Sequence, residues 1–377
     1  MTIYEEAMQA HLNLRGKLEV KSKVKLESAH DLSTYYSPGV GAVASHLAKH
    51  PDETPLYTGT NNSVAIVSDG SAVLGLGNIG PEGALPVMEG KAMLFKEFAG
   101  IDAYPIVLDT QDPDKIIETV LALAPSFGGI NLEDIAAPQC FYIEAELKKR
   151  LNIPIMHDDQ HGTAIVVLAG LINACRVTGR TLADARIVLV GAGAAGIAIA
   201  QLLHDYANPS ILAVDSKGII TKHRTDLNQE KQLLLSYGGG NHADGNLADA
   251  VRDADIFIGV SKGGVLTPDM VRTMADNAII FAMANPEPEI DPVLAKEAGA
   301  AVIATGRSDY PNQVNNVLAF PGIFRGALDN HSTITNAHKI AAAEAIASLV
   351  RNPHAEFIVP SALDSKVVRA VSSVFMR

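Results

Sequence analysis

Residues 185–203 read ARIVLVGAGAAGIAIAQLL, an apolar β-rich run, three closely spaced glycines and a second apolar run. Few stretches restrict a fold so strongly. A strand has to end near Val190, turn within a few residues and re-enter as a helix. Gly191, Gly193 and Gly196, with Ala194 and Ala195 between them, let the backbone turn tightly and approach a pyrophosphate at the new helix N-terminus. A glycine pattern alone is weak evidence, but here Asp215 closes the next apolar run, SILAVD, at about the 20-residue spacing of a ribose-binding carboxylate. The stretch therefore predicts a doubly wound dinucleotide-binding fold. Asp215 leans the reading to NAD. The following SKGIITKHR complicates it, because Ser216, Lys217, Lys222 or Arg224 could hold a ribose phosphate, and the sequence does not decide between NAD and NADP.

The same alternation of strand and helix extends in both directions. Downstream, DADIFIGVS, AIIFAMANP and AAVIATG continue the sheet; upstream, SVAIVSD, DAYPIVLD, GGINLED and IPIMHDD are short β-rich runs ending in acidic residues. Helical patterns such as PDKIIETVLALA and PQCFYIEAELKKRL lie between them. The fold class expected is α/β: an N-terminal substrate and metal domain over residues 1–160, a Rossmann-type dinucleotide domain over 161–325, and a C-terminal helical segment, 326–377, packing back on the first domain. A length of 377 residues is enough for two substantial cores.

Composition narrows the function classes. A net charge of −12 speaks against nucleic acid as a partner, since a phosphate backbone would be repelled. The most apolar segment, GTAIVVLAGLINACRVTG, is interrupted by Asn173 and Arg176, so a buried helix is expected there, not a membrane span. The N-terminus lacks the apolar core of a signal peptide, and Cys140 and Cys175 read as buried thiols in a reducing compartment; a cytoplasmic location follows as the expectation.

Two acidic pairs, Glu133–Asp134 in NLEDIAAP and Asp158–Asp159 in IMHDDQHGTA, each close a predicted strand before a helix, the second helix expected from Gly162. One such pair would be an ordinary helix cap. Two at neighbouring strand ends repel each other, and a divalent cation with oxygen ligands, Mg²⁺ or Mn²⁺, is the simplest compensation. His157 and His161 could suggest a softer metal, but histidines beside a helix start are more often structural hydrogen-bonding groups. Tyr35 and Tyr36 precede a Ser-Pro-Gly turn, and Lys91 and Lys96 lie on an apolar helical segment, where a desolvated lysine can act as a base and a snorkelling one cannot. Asn285, Asn315 and Asn316 are neutral amides suited to carboxylate or carboxamide groups.

Taken together, YYSPGV, LGLGNIGPEGALPVMEGKAMLFK, NLEDIAAP, HDDQHGTA, GAGAAG, FAMANPEPE and NNVLAFPGIFRGAL resemble the malic enzymes, in their short bacterial form, from about Tyr36 to the final helices. The resemblance implies oxidative decarboxylation of L-malate to pyruvate and CO₂ with reduction of NAD(P)⁺ and a required Mn²⁺ or Mg²⁺. It implies Lys91 as general base, Tyr36 as general acid, Asp158 as companion of the base, and Glu133, Asp134 and Asp159 as metal ligands. Asn285 and Asn315 would contact malate, the nicotinamide end of the cofactor, or both, and a homodimer is the default assembly. A malolactic reaction, releasing lactate with the nucleotide retained, uses the same residues. Larger members of the family carry a malate-gripping arginine where this sequence has Ala72.

Overall fold

The structure, a computed structural model, describes residues 2–73, 75–238 and 244–376; Leu74, which opens the LGLG motif, lies outside them. Two sheets carry the architecture. The first contains β1 (Ser63–Ser68), β2 (Asp102–Val107), β3 (Gly129–Leu132) and β4 (Ile155–His157), all parallel, in the order β2-β1-β3-β4. Every residue of β1, β3 and β4 is buried, which explains their unbroken apolar character: helices cover both faces of the sheet.

The second sheet contains β5 (Arg186–Val190), β6 (Ser210–Asp215), β7 (Gly218–Ile219), β8 (Ile256–Gly259), β9 (Ile279–Ala282) and β10 (Val302–Thr305). Its order is β10-β9-β8-β5-β6-β7, parallel except for the short antiparallel β7. The chain starts at β5, builds outward through β6, then crosses back to β8. That reversal is the topological switch point at which doubly wound sheets open a crevice beyond the carboxyl ends of their strands.

Between the two sheets runs the helix Asp158–Thr178. It is the helix long and apolar enough to cross a membrane among the described residues, and 67% of its most apolar window is buried inside the protein. Ile165, Leu168 and Leu171 on this helix share one continuous core with Val64 and Ile66 of the first sheet and Ile187 and Leu189 of the second. The helix begins at Asp158, four residues before Gly162, the expected start. His157, still extended (φ −87°, ψ 111°), takes the N-cap position, and two aspartates in the first turn complement the positive end of the helix dipole. Gly179, in the left-handed region at φ 70°, ends it. Cys140 and Cys175 are free and buried.

After the second sheet the chain returns to the first through the helix Phe320–Asp329. Phe320 and Phe324 meet Phe95 of the helix Gly80–Ala99 at ring-centroid distances of 4.7 and 5.4 Å, all three side chains fully buried. This aromatic cluster ties the helix carrying Lys91 to the C-terminal segment. Phe95→Ala should therefore lower stability by about 3–5 kcal/mol, the scale for a large aromatic truncated in a core, read from denaturant unfolding. A loss under about 1 kcal/mol would mean that the cluster is not a structural joint.

Candidate active site

β3 and β4 are neighbours in register, Leu132 opposite His157, so the residues that follow them come out side by side at the carboxyl edge of the first sheet. Glu133 and Asp134 leave β3; Asp158 and Asp159 leave β4 as the first two residues of the core helix. Consecutive helical side chains diverge by about 100°. The two adjacent aspartates therefore face different partners, and the structure separates them. Asp158 Oδ2 accepts from Lys91 Nζ at 2.5 Å and from Asn316 Nδ2 at 2.6 Å. Asp159 Oδ2 accepts from the Asp134 backbone N–H at 2.8 Å. One carboxylate oxygen from each of Glu133, Asp134 and Asp159 lies within 4.8 Å of the other two, a cluster with the donor type and spacing to hold a divalent cation.

Lys91 joins the two halves. Its ammonium lies 2.8 Å from Glu133 Oε1 as well as 2.5 Å from Asp158, stands 4.2 Å from the centre of the Phe320 ring, and is only 7% exposed. Asn131 Nδ2 donates to the other Glu133 oxygen at 2.9 Å. Burial pulls the Lys91 pKa down, but the carboxylates of Asp158 and Glu133 outweigh it and hold the ammonium above its ordinary pKa. Burial pushes the Asp158 carboxyl up to about 7 and that of Glu133 above its usual range, against the pull of Lys91 on both. In this pair the ammonium–carboxylate state is favoured, because Lys91 sits between two acceptors and neither has solvent to replace it. Asp134 adopts the left-handed region at φ 53°, and its carbonyl accepts from the Ala72 N–H at 3.0 Å. The position matched to an arginine in larger relatives thus contributes a backbone bond and no charge.

A second buried network fixes the loop from behind. Glu144 accepts from the His157 N–H at 2.9 Å, lies 2.8 Å from His161 Nε2 and is paired with Lys148 at 2.8 Å. Lys339, from the helix Asn336–Ser348, reaches His161 Nδ1 at 2.9 Å. Burial would raise Glu144, but the cationic neighbours hold it well below the usual carboxylate range; burial lowers His161 to about 4 and Lys339 to about 7. His161 thus bridges Glu144 and Lys339 inside the protein and is not among the carboxylates of the acidic cluster.

The cofactor residues assemble beyond β5 and β6. Gly191, at φ 111°, passes close to the β8 edge, where a Cβ would fall 2.6 Å from the Val260 carbonyl; a Cβ on Gly196 would fall 1.8 Å from the Gly191 carbonyl. Gly193 is the N-cap of the helix that Ala194 and Ala195 begin. The Gly191 N–H donates to the Val214 carbonyl at 2.9 Å, which puts the loop beside Asp215. Asp215 is itself enclosed by Arg224, Lys231 and the Lys217 N–H. Asn285 follows β9 at the same edge, and the Asn315 side chain accepts from the Val317 N–H at 2.9 Å.

Not every expected residue converges. Tyr36 closes the helix Ala29–Tyr35, is 67% exposed, and no hydrogen bond among the described residues joins it to Lys91. Tyr35 is likewise exposed. Lys96 points to solvent and pairs with Asp102 at 2.7 Å. Three contributors carried no local signal: Glu144 and Lys339 lie within helices with no motif around them, and Lys231 stands 16 residues beyond the carboxylate it meets. Asn316 stood out as an amide, and its position on Asp158 emerges only from the fold. The close approach of Gly162 to Asp158 yields a test. A Cβ there would lie 1.8 Å from Asp158 Oδ1 and 3.1 Å from Asn316 Cβ, so Gly162→Ala must displace the carboxylate. Steady-state kinetics should show kcat reduced about a hundredfold, the scale of an ångström-level misplacement, with circular dichroism unchanged; unaltered kcat would show that the Asp158 contact is dispensable.

Comparison with known proteins gives the family. Residues 160–373 match the family model described as malic enzyme, NAD binding domain, and residues 15–113 and 110–148 match malic enzyme, N-terminal domain. A bifunctional malic/malolactic enzyme of Bacillus subtilis is 56% identical over 99% of this chain and 92% of its own length. An NADP-dependent malic enzyme of Halomonas elongata is 47% identical over 95% of this chain and 89% of its own length. The crystal structure of an NAD-dependent malic enzyme from Thermotoga maritima superposes with a TM-score of 0.95 at 49% identity, covering 98% of each chain. With both domains matched and the acidic cluster in place at their seam, the chain belongs to the malic enzyme family.

Proposed function

We propose that the chain catalyses oxidative decarboxylation of L-malate to pyruvate and CO₂, with hydride passing to NAD(P)⁺ and a divalent cation, Mn²⁺ or Mg²⁺, held by Glu133, Asp134 and Asp159. The observation that carries this reading is the contact of a buried lysine with Asp158 and Glu133 beside a triad of oxygen donors. A hydride-transfer enzyme without a decarboxylation step has no need of that triad, and a non-catalytic nucleotide sensor has no need of the lysine.

The residues fit the cation: three carboxylates converge, all donors are oxygen, and Lys91 pairs with Glu133 alone of the three among the ion pairs described. Held by these carboxylates, such a cation would supply Lewis-acid polarisation of a substrate oxygen. The chain's own groups supply the rest. Lys91 enters the cycle protonated, and Asp158 Oδ2, at 2.5 Å with its carboxyl pushed up to about 7, is the acceptor able to take that proton. Neutral Lys91 then removes the proton from the malate hydroxyl as hydride leaves the same carbon for the nicotinamide. Loss of CO₂ leaves an enolate, and Tyr36 delivers a proton to its carbon. Asn316 holds Asp158 in place throughout, and Asn285 and Asn315 are assigned to malate or the nicotinamide.

Tyr36 serves this role in the same proposal through a homodimer. The helices Ile3–Leu14, Ala29–Tyr35 and Val40–Leu47 contain no buried residue, and Ile3, Tyr4, Met8, Leu12, Leu32 and Val40 are exposed. So much apolar surface over the first 47 residues calls for a partner, and a second copy would bring Tyr36 to the neighbouring Lys91. A cytoplasmic location belongs to the same reading, in keeping with two free, buried thiols. A malolactic outcome is the second reading, favoured by similarity to the bifunctional malic/malolactic enzyme of Bacillus subtilis.

Purified protein supplied with malate and Mn²⁺ should reduce NAD⁺ or NADP⁺, release pyruvate and CO₂, and stop on addition of EDTA. Lactate without net nucleotide reduction would establish the malolactic reading, and EDTA-resistant turnover would remove the metal from it. Lys91→Ala should lose at least about a hundredfold in kcat. Mixing Lys91→Ala with Tyr36→Phe subunits should restore up to about a quarter of wild-type activity if a two-fold dimer shares its sites; no restoration would place both residues in one chain's site.

A further inference from the structure

The end of β6 holds more cations than a ribose-binding carboxylate requires. Asp215 Oδ1 accepts from the Lys217 N–H at 2.9 Å and Arg224 Nη1 at 2.7 Å; Oδ2 accepts from Arg224 Nη2 at 3.1 Å and Lys231 Nζ at 2.7 Å. A carboxylate offers about four lone-pair positions. All are filled. The ribose hydroxyls of NAD⁺ would have to donate to oxygens that already have their donors, and Arg224 is locked on its other side by Asp226, through Nε at 2.9 Å and Nη2 at 2.8 Å. Hydrogen bonding to Arg224 and Lys231 holds Asp215 at about 2 despite its burial, so it stays ionised and anchored.

The donors left over belong to lysines. Each ammonium has three N–H groups; Lys231 spends one on Asp215, and Lys217 spends one on Asp226 at 2.7 Å. Arg224, Lys217 and Lys231 stand against Asp215 and Asp226, so the joined cluster carries net positive charge beside the glycine loop. That is the chemistry of an anion receptor.

Resting on the dinucleotide-dependent reading above, we infer that Lys231, assisted by Lys217, receives the 2′-phosphate of NADP⁺, so that the chain selects NADP⁺ over NAD⁺. Asp215 and Arg224 are positioning residues that hold the receptor in place. The lean towards NAD that Asp215 invites as a lone carboxylate is reversed by what surrounds it.

Binding separates this inference from the reaction assignment. Full-length protein titrated calorimetrically with 2′,5′-ADP and with 5′-AMP, which differ in the 2′-phosphate alone, should bind the former at least about tenfold more tightly, with the difference shrinking as salt is raised. Lys231→Met should abolish the difference and Lys231→Arg should keep it. Lys231 is partly exposed on a surface helix, and unchanged thermal unfolding will show that both variants fold. Equal affinities in the wild type, or tighter 5′-AMP, would overturn the inference; a preference untouched by Lys231→Met would overturn the assignment of the residue. Neither result depends on malate turnover, so failure of the proposed reaction would leave the outcome readable.

Discussion

The Lys91 ammonium between Asp158 and Glu133 is the contact around which the rest of the molecule is arranged. Carboxylates at adjacent strand ends cannot all be ionised in a dry interior without a cation beside them, and removing one partner of a buried pair typically costs about 3–5 kcal/mol. Lys91 supplies that charge from a helix of the first domain. Its position in turn depends on the aromatic cluster of Phe95, Phe320 and Phe324, which brings C-terminal chain back over the N-terminal sheet. A buried ammonium–carboxylate pair beside an oxygen triad also suits proton transfer, so the same burial that creates the electrostatic problem supports the proposed chemistry.

The division between Asp158 and Asp159 follows from helix geometry. Placed in a strand, neighbouring residues would face opposite sides of the sheet; placed in the first turn of a helix, they fan towards two partners within one cleft. The turn is held by Glu144 on the His157 N–H, and Glu144 is held through His161 by Lys339 of the C-terminal region. The histidines flanking the acidic pair are therefore parts of the frame. The first sheet and the core helix meet at this turn, and Asn316 and Lys339 bring the C-terminal chain to it.

Much of this was legible in the sequence. The glycine loop with Asp215, the alternating apolar runs and the paired acidic residues all act through neighbours in the chain, and such signals survive without coordinates. The helix start was placed four residues late, because Asp158 and Asp159 read as strand ends when their role as dipole-facing first-turn residues is not visible. Asn316 reaches Asp158 across 158 residues, and Lys339 reaches His161 across 178, separations over which no local pattern reports. Lys231 was hidden for a related reason. A lysine on a short polar helix looks solvated until the fold lays it against Asp215. Tyr36 is the opposite case, named by its motif and left at the surface by the single chain.

In the proposed reaction Asp158 serves the lysine and Asp159 serves the metal. Calorimetric titration of Mn²⁺ into Asp158→Asn and Asp159→Asn, compared with the wild type and paired with kcat for each, addresses it most directly. Asp159→Asn should lose Mn²⁺ affinity by at least about tenfold, while Asp158→Asn should keep Mn²⁺ affinity near that of the wild type and lose turnover. Equal losses of Mn²⁺ affinity in both variants, or a loss confined to Asp158→Asn, would contradict it.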